Sequence, residues 1–257
     1  MPETQYTIET LLRGLNILSL FSRETPAWSL TEIVAATGMN KTTAFRMITT
    51  LEMAGYLVRD GQSKRYRPGM KILQLGFAAL SSLDLRQVAR PYLEKLSQRA
   101  GETVSLSVLD GMEIVYIDRV RNQQIVGVLL GLGSRLPAHC ASMGKAMLAN
   151  LPPDELRRRL DQAELKPRTP KTLTDRLAFE AELAVVRQQG YAVNDEELEI
   201  GLRAVAAPVW DSTRQVVAAV NITGSVAMIS RRRLVVELAQ AVRETAGQIS
   251  QALGFSP

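Results

Sequence analysis

Hydrophobic residues recur at the spacing of an α-helix in the first part of the chain. The first such segment spans residues 8–21, and the residues that share its apolar face are Leu11, Leu15, Leu18 and Phe21. A second begins at Ser29, which forms a capping box with the glutamate three residues later, and ends at Gly38. A third begins at Asn40 and ends at Gly55. Two short helices joined by a glycine-containing turn predict a helix-turn-helix unit.

The segment that follows predicts a β-hairpin and then another helix. Residues 56–58 and 64–67 have the pattern of two strands around a polar turn. A hairpin in this position would form the wing of a winged helix-turn-helix domain, which we assign to residues 9–71. The helical pattern that continues from there is assigned to a linker helix over residues 72–85.

From residue 102 onward, short runs rich in Val and Ile alternate with helical segments. The predicted strands are 103–109, 112–118, 124–130, 203–210 and 215–223, and the predicted helices are 142–151, 153–160, 177–189 and 230–253. The first two strands are separated only by a turn around Gly111, so they should pair as an antiparallel hairpin. The fold class is therefore α+β with two domains, the second (86–257) built on a mainly antiparallel sheet.

Composition is that of an ordinary globular protein. Of the 257 residues, 46% are hydrophobic and 22% are charged, which excludes an intrinsically disordered chain. One cysteine excludes an internal disulfide, and no apolar run reaches the ~18 residues of a membrane span. The N-terminus lacks the pattern of a signal peptide. We expect a cytoplasmic protein without a membrane partner.

The net charge of +5 is concentrated in one segment. Residues 38–71 carry seven basic and two acidic side chains, and the rest of the chain is neutral. On the third helix, the residues that should face the core are Ala44, Met47, Ile48 and Leu51. The opposite face suits base edges and phosphates of double-stranded DNA. The candidate DNA-binding residues are Ser29, Thr31, Lys41, Thr42, Thr43, Phe45, Arg46, Thr49, Lys64 and Arg65. The alternative is an ordinary solvated surface helix.

The order and spacing of these motifs resemble the IclR family of bacterial transcription regulators over almost the entire chain. The motifs are SLTEI at 29–33, GMNKTTAFR at 38–46, LEMAGY at 51–56, YRPG at 66–69, RLPAH at 135–139, MGKA at 143–146, GYA at 190–192, EELEIGLR at 196–203 and AAPV at 206–209. The resemblance implies a winged helix, a linker helix, a GAF-like effector domain, and a homodimer or homotetramer. The second domain is most similar to the branch that controls aromatic-acid catabolism.

The second domain offers candidates for binding a small organic acid. Free backbone N–H groups at the start of a helix near Ser142 could hold a carboxylate, and Gly144 would admit it closely, although this glycine could equally serve tight packing. The full candidate set, partly implied by the resemblance, is Val128, Leu130, His139, Ser142, Met143, Gly144, Asp195, Glu196, Arg203, Ala204, Asn221 and Thr223. Family members that bind small keto acids have cysteine and serines where this chain has Ala204, Asn221 and Thr223. A larger, aromatic acid is therefore expected.

An enzyme that acts on a small acid, with its first domain used for targeting or dimerisation, is the alternative function. The one histidine, His139, adjoins Cys140, and sequence neighbours point apart, so they make a poor base–nucleophile pair. We predict no catalytic residue, metal site or cofactor. The predicted function is a ligand-responsive regulator whose partners are operator DNA and a small acid, with RNA polymerase a further candidate.

Overall fold

The computed structural model describes residues 7–22, 24–81, 84–121 and 131–256. The chain divides into two compact units, with the boundary between Ser82 and Leu83. Among the described residues, no helix is both long and apolar enough to cross a bilayer.

The first unit is a winged helix-turn-helix. Its elements are α1 (Glu9–Ser19), α2 (Leu30–Thr37), α3 (Lys41–Met53), β1 (Leu57–Arg59), β2 (Tyr66–Pro68) and α4 (Met70–Ser81). The strands β1 and β2 pair as the antiparallel hairpin of the wing. The helix α4 occupies most of the segment assigned to a linker helix. Since residues 82–83 lie outside the described ones, the linker boundaries of 72–85 stay a prediction.

The helix ends form where the sequence predicted them. Ser29 Oγ accepts the N–H of Glu32, and the Glu32 carboxylate accepts the N–H of Ser29, which completes the capping box. Gly38 ends α2 in the left-handed region, with φ of 67°. Asn40 Oδ1 accepts the N–H of Thr43 at the start of α3. These local bonds fix the turn between the two helices.

The predicted apolar face of α1 is only partly buried. Ile17 is fully buried, and it packs with Ile33 and Ile48 in the core of this unit. Leu11 and Leu15, which were predicted to share the apolar face with Leu18 and Phe21, are 60% and 49% exposed. The core is small, so it covers only the C-terminal half of α1 and leaves the N-terminal leucines outside.

The second unit is an α+β domain. Its elements are α5 (Asp84–Ala100), β3 (Thr103–Asp110), β4 (Glu113–Val120), β5 (Arg135–Pro137), α6 (Ser142–Leu148), α7 (Pro153–Asp161), α8 (Arg176–Gln189), β6 (Ala192–Asp195), β7 (Leu202–Trp210), β8 (Val216–Ser225) and α9 (Ala239–Ala252). The strands described form one antiparallel sheet in the order β5-β4-β3-β8-β7-β6. The predicted hairpin is confirmed, β5 and β6 were not predicted, and the strand predicted at 124–130 lies outside the described residues.

The two faces of the sheet bury different side chains. Large aliphatic residues such as Val104 and Leu106 pack with α5 and α9. Their neighbours Ser105 and Ser107 point to the other face, where α6 and α8 pack. The alternation is broken in β4, because Ser107 pairs with Tyr116 whereas Leu106 pairs with Asp118. The extra residue forms a β-bulge, which puts Tyr116 and Arg119 on the same face although they are three residues apart.

Close packing explains Gly144, which sits in the first turn of α6. A Cβ at this position would lie 2.2 Å from the carbonyl oxygen of Ala138. The absent side chain therefore makes room for the backbone of the preceding turn. The prediction that Gly144 admits a ligand is wrong for this reason, and the packing alternative holds.

Substitution of Gly144 by alanine should destabilise the fold. The added methyl group meets backbone, which cannot move aside as a flexible side chain would, so we expect a loss of about 1–3 kcal/mol in the free energy of unfolding. The matched control is Gly247→Ala in α9, where a Cβ meets nothing within 4 Å. This change should stabilise by about 0.4–1 kcal/mol. Urea denaturation measures both, and equal stabilities would contradict the packing argument.

Candidate nucleic-acid interface and ligand cavity

The outer face of α3 is exposed and polar around one aromatic ring. Phe45 is 48% exposed, while Ala44 and Ile48 on the opposite face are fully buried. The predicted phase of the helix is therefore confirmed. Of the other residues predicted on this face, Lys41, Thr42 and Arg46 are exposed, and Thr43 and Thr49 are half-buried. The exposed guanidinium, hydroxyl and ring can meet base edges in a major groove.

The wing is held against α2 by an ion pair. Arg65 donates to the carboxylate of Glu32, with a shortest distance of 2.8 Å, and to the carbonyl oxygen of Ala27 at 2.8 Å. Arg65 thus positions the wing, and its predicted contact with phosphate stays a prediction. Lys64 occupies the left-handed region at the hairpin tip, where its ammonium group donates to the Gly61 carbonyl.

The first turn of α2 holds the last two DNA-binding candidates. Thr31 is exposed there. Ser29 is half-buried and its hydroxyl oxygen accepts a capping hydrogen bond, so its established role is local. Any contact of either residue with DNA stays a prediction.

A cavity of about 240 Å³ lies on the α6 side of the sheet in the second unit. The small and polar residues of its floor are Ser105, Ala204, Asn221 and Thr223. The register places Ser105 between Arg119 on β4 and Asn221 on β8. Tyr116 lines the cavity beside Arg119, and the first turn of α6 and residues 198–202 complete its walls.

The cavity lining includes buried side-chain oxygens for which the described residues supply no hydrogen-bond partner. These oxygens are Ser142 Oγ and Asn221 Oδ1, whose residues are only 2% and 3% exposed. The Asn221 amide donates to Thr223 Oγ1 at 2.7 Å, which leaves its carbonyl oxygen as an acceptor. Buried polar groups are normally paired, so an occupant that supplies partners is favoured here.

Positive charge adjoins these atoms. Arg119 lines the cavity, and burial lowers the pKa of its guanidinium group, since desolvation disfavours the charged form. Arg168 contributes a second, more exposed guanidinium to the lining. An anionic group bound beside Arg119 would offset the cost of burying its charge.

The cavity includes some of the predicted ligand residues. Those that line it are Ser142, Met143, Ala204, Asn221 and Thr223. Lining residues that were not predicted include Ser105, Tyr116, Arg119, Leu136, Arg168, Asn194 and Ser225. The alternation of serines in β3 could have indicated Ser105, whereas Tyr116 and Arg119 depend on the bulge. Val128 and Leu130 lie outside the described residues.

Several predicted ligand residues do not line the cavity. Asp195 alternates with Asn194 along β6, so Asn194 faces the cavity while Asp195 binds Arg203 and Arg231, each at 2.6 Å. Arg203 is thus paired with Asp195, and contact of either residue with a ligand stays a prediction. Glu196, whose backbone is left-handed, binds Lys171 and the N–H of Gly201.

The adjoining histidine and cysteine form no base–nucleophile pair. His139 Nε2 lies 2.9 Å from the carbonyl oxygen of Lys166, and burial lowers the pKa of the ring. Burial also raises the pKa of Cys140 to about 11, so the sulfur stays a thiol. His139 lies outside the cavity lining, and its predicted contact with an effector stays a prediction. The described residues contain no group of three or more side chains that could hold a metal ion.

Comparison with known proteins decides the family. The model of the IclR helix-turn-helix domain matches residues 10–61, and that of the bacterial transcriptional regulator IclR C-terminal domain matches residues 77–251. The chain belongs to the IclR family. It is a transcription regulator with a DNA-binding unit and a ligand-binding unit, and its relatives give no support to the enzyme alternative.

Individual relatives agree over nearly the whole chain. The transcriptional regulator XynR of Escherichia coli is 34% identical, covering 96% of this chain and 98% of that protein. The Pca regulon regulatory protein of Pseudomonas putida is 37% identical, covering 88% of this chain and 77% of that protein. The crystal structure of an IclR homologue from Microbacterium hydrocarbonoxydans, complexed with 4-hydroxybenzoate, is 27% identical with a TM-score of 0.82, covering 95% of this chain and 98% of that one.

The exposure of Phe45 in this IclR-family regulator predicts the outcome of two alanine substitutions. Phe45→Ala should change the free energy of unfolding by less than about 1 kcal/mol, since much of the ring is already in water. Ile48→Ala on the buried face should cost about 2–5 kcal/mol. Chemical denaturation of both variants checks this. A loss for Phe45→Ala as large as that for Ile48→Ala would show that the ring belongs to the core.

Proposed function

We propose that this regulator places α3 in the major groove of its operator, with Arg46, Thr42 and Phe45 at base edges and Lys64 of the wing at a phosphate. This proposal is supported by the exposed ring of Phe45 and the exposed guanidinium of Arg46 on one face of α3, which is the second helix of the helix-turn-helix and is capped by Asn40. Base contacts give sequence preference, whereas phosphate contacts give affinity without it. The operator DNA would be met in the cytoplasm, with RNA polymerase as a further partner.

The same proposal makes the cavity the effector site and an aromatic carboxylic acid its ligand. A cavity of about 150 Å³ is enough for benzene. The cavity observed, at about 240 Å³, suits one ring with its substituents. The Pca regulon relative and the homologue bound to 4-hydroxybenzoate support this class of ligand. XynR, at comparable identity, carries no such indication, so the effector class rests mainly on the cavity.

The polarity of the cavity orients the proposed ligand. Arg119 and Asn221 lie two strands apart, on either side of Ser105, so their Cα atoms are separated by about 10 Å. The carboxylate would bind Arg119, and the backbone N–H groups at the start of α6 would lie nearby. A ring hydroxyl at the other end would donate to Asn221 Oδ1, which accepts no hydrogen bond from the described residues. A hydroxylated ring acid should therefore bind more tightly than benzoate.

A homodimer is proposed for the DNA-bound form, because paired half-sites match a two-fold assembly. The exposed apolar face of α1 supports an interface in the first unit. Its residues are Ile8, Leu11, Leu12 and Leu15. Sedimentation of the full-length protein would show whether two dimers join into a tetramer.

Two substitutions should separate base contact from phosphate contact. Arg46→Ala should cost about 1–3 kcal/mol on the preferred duplex and relax sequence preference, whereas Lys64→Ala should weaken all duplexes alike and reduce the salt slope by about 1. The preferred duplex is first selected from a random library with the wild type. Fluorescence anisotropy against selected and random DNA gives both affinities. Equal losses on both duplexes for Arg46→Ala would remove Arg46 from base contact.

Removal of the half-buried charge of Arg119 should weaken effector binding. Arg119→Gln should lower the affinity for 4-hydroxybenzoate at least tenfold, since a charge-assisted hydrogen bond is lost. The matched control is Arg135→Gln, because Arg135 lies on the neighbouring strand and pairs with Asp110 and Glu113 outside the cavity. Calorimetric titration of a panel of aromatic acids and two- or three-carbon keto acids measures this. A wild type that binds only the keto acids would refute the aromatic effector.

A further inference from the structure

A buried carboxylate lies back to back with the cavity arginine. Asp118 directly precedes Arg119 on β4, and its side chain is only 2% exposed. The register pairs Asp118 with Leu106, so the side chain of Asp118 points to the face of the sheet that packs with α5 and α9. The side chain of Arg119 lines the cavity on the other face. Successive residues of a strand point to opposite faces, and the bulge that precedes Asp118 determines which of the two faces Asp118 and Arg119 each take. Residues 118 and 119 of β4 thus connect the site of the proposed effector carboxylate with the helices α5 and α9 on the opposite face of the sheet.

The two oxygens of Asp118 are bonded unequally. Oδ1 accepts from Arg90 Nη1 at 2.8 Å and from the backbone N–H of Arg119 at 2.7 Å. Oδ2 lies 3.6 Å from Arg86 Nε, beyond hydrogen-bond length, and has no hydrogen-bond partner among the described residues. A buried carboxylate oxygen without a hydrogen bond is unfavourable, and a small shift of Arg86 or of the strand would satisfy it. The arrangement in the structure, in which Oδ2 accepts no hydrogen bond from Arg86, is called open here, and one in which Arg86 donates to Oδ2 is called closed.

The partner of the open contact lies where the second unit begins. Arg86 is in the first turn of α5, which starts at Asp84, and α4 of the DNA-binding unit ends at Ser81. Arg86 and Arg90 are four residues apart, so they share the face of α5 turned to Asp118. A change at Arg86 thus acts on the end of α5 that directly follows the connection to the DNA-binding unit.

We propose that Asp118 is the positioning residue that couples effector binding to α5, through closure of its contact with Arg86. This inference rests on the proposed effector cavity. A carboxylate bound by Arg119 shifts the bulged strand and favours the closed arrangement, and the first turn of α5 moves with Arg86. A ligand can shift such an equilibrium only by its difference in affinity for the two states, and couplings of this kind are commonly about 5–150-fold.

The test compares coupling in arginine variants of the full-length protein. The affinity for the selected duplex is measured by anisotropy with and without 4-hydroxybenzoate, and binding of the acid is measured by calorimetry. In Arg86→Gln, affinities for the acid alone and for the duplex alone should stay within about twofold of the wild type. The ratio of duplex affinities with and without acid should fall from about fivefold or more to about one. Arg86→Lys, which keeps the charge, should retain at least half of the coupling free energy.

The control is Arg99→Gln on the same helix, because Arg99 pairs with Glu244 and not with Asp118. It should leave the coupling unchanged. Asp118→Asn, a nearly isosteric change, should lose coupling as Arg86→Gln does. Coupling that persists in Arg86→Gln, or loss of acid binding itself in that variant, overturns the inference. A wild type that binds no acid of the panel overturns the proposed effector site and this inference with it, whereas a responsive wild type beside an equally responsive Arg86→Gln overturns this inference alone.

Discussion

The bulge in β4 is the constraint on which the ligand-binding unit depends. A regular strand would turn Tyr116 and Arg119 to opposite faces, so the cavity would lose one of these two side chains. With one extra residue, Ile117 packs in the aliphatic core and Arg119 reaches the cavity. Asp118 points to the face on which α5 packs, where Arg86 and Arg90 of that helix neutralise its charge. This one shift in register thus directs Ile117 to the aliphatic face of the sheet and Tyr116 and Arg119 to the face that carries the cavity.

Buried ion pairs hold the loop that closes the cavity. Lys145 of α6 is 1% exposed and donates to Glu197 at 2.7 Å and to Glu182 at 3.3 Å. Burial raises the pKa of Glu197, while the neighbouring ammonium group of Lys145 opposes that rise. Removing one partner of such a pair leaves an uncompensated charge, so the arrangement is strongly specified. Together with Glu196 and its bonds to Lys171 and Gly201, it positions residues 198–202 over the sheet.

The DNA-binding unit relies on local bonds more than on a large core. Glu32 serves two of them, since it completes the capping box of α2 and also binds Arg65 of the wing. Its pKa is lowered chiefly by the hydrogen bonds from Ser29, with a smaller contribution from Arg65. An exposed ion pair of this kind contributes little stability, so its main effect is to orient the wing.

The sequence by itself determined the features that depend on near neighbours in the chain. The caps at Ser29, Gly38 and Asn40, the phase of α3 and the hairpin of β3 and β4 all follow from short-range hydrogen bonding and periodicity. Family motifs also led to Ala204, Asn221 and Thr223 as cavity residues.

Only the tertiary structure decided which polar residues reach the ligand cavity. Asp195 was predicted to bind the ligand, but strand alternation turns its neighbour Asn194 toward the cavity instead. Gly144 was predicted to admit a ligand, but the backbone of Ala138 occupies the position next to it. Arg119 was missed because the bulge that aims it arises from pairing between strands. Pairing between strands joins residues that are distant in the sequence, and its register can be irregular. The spacing of hydrophobic and polar residues along one strand does not show that register.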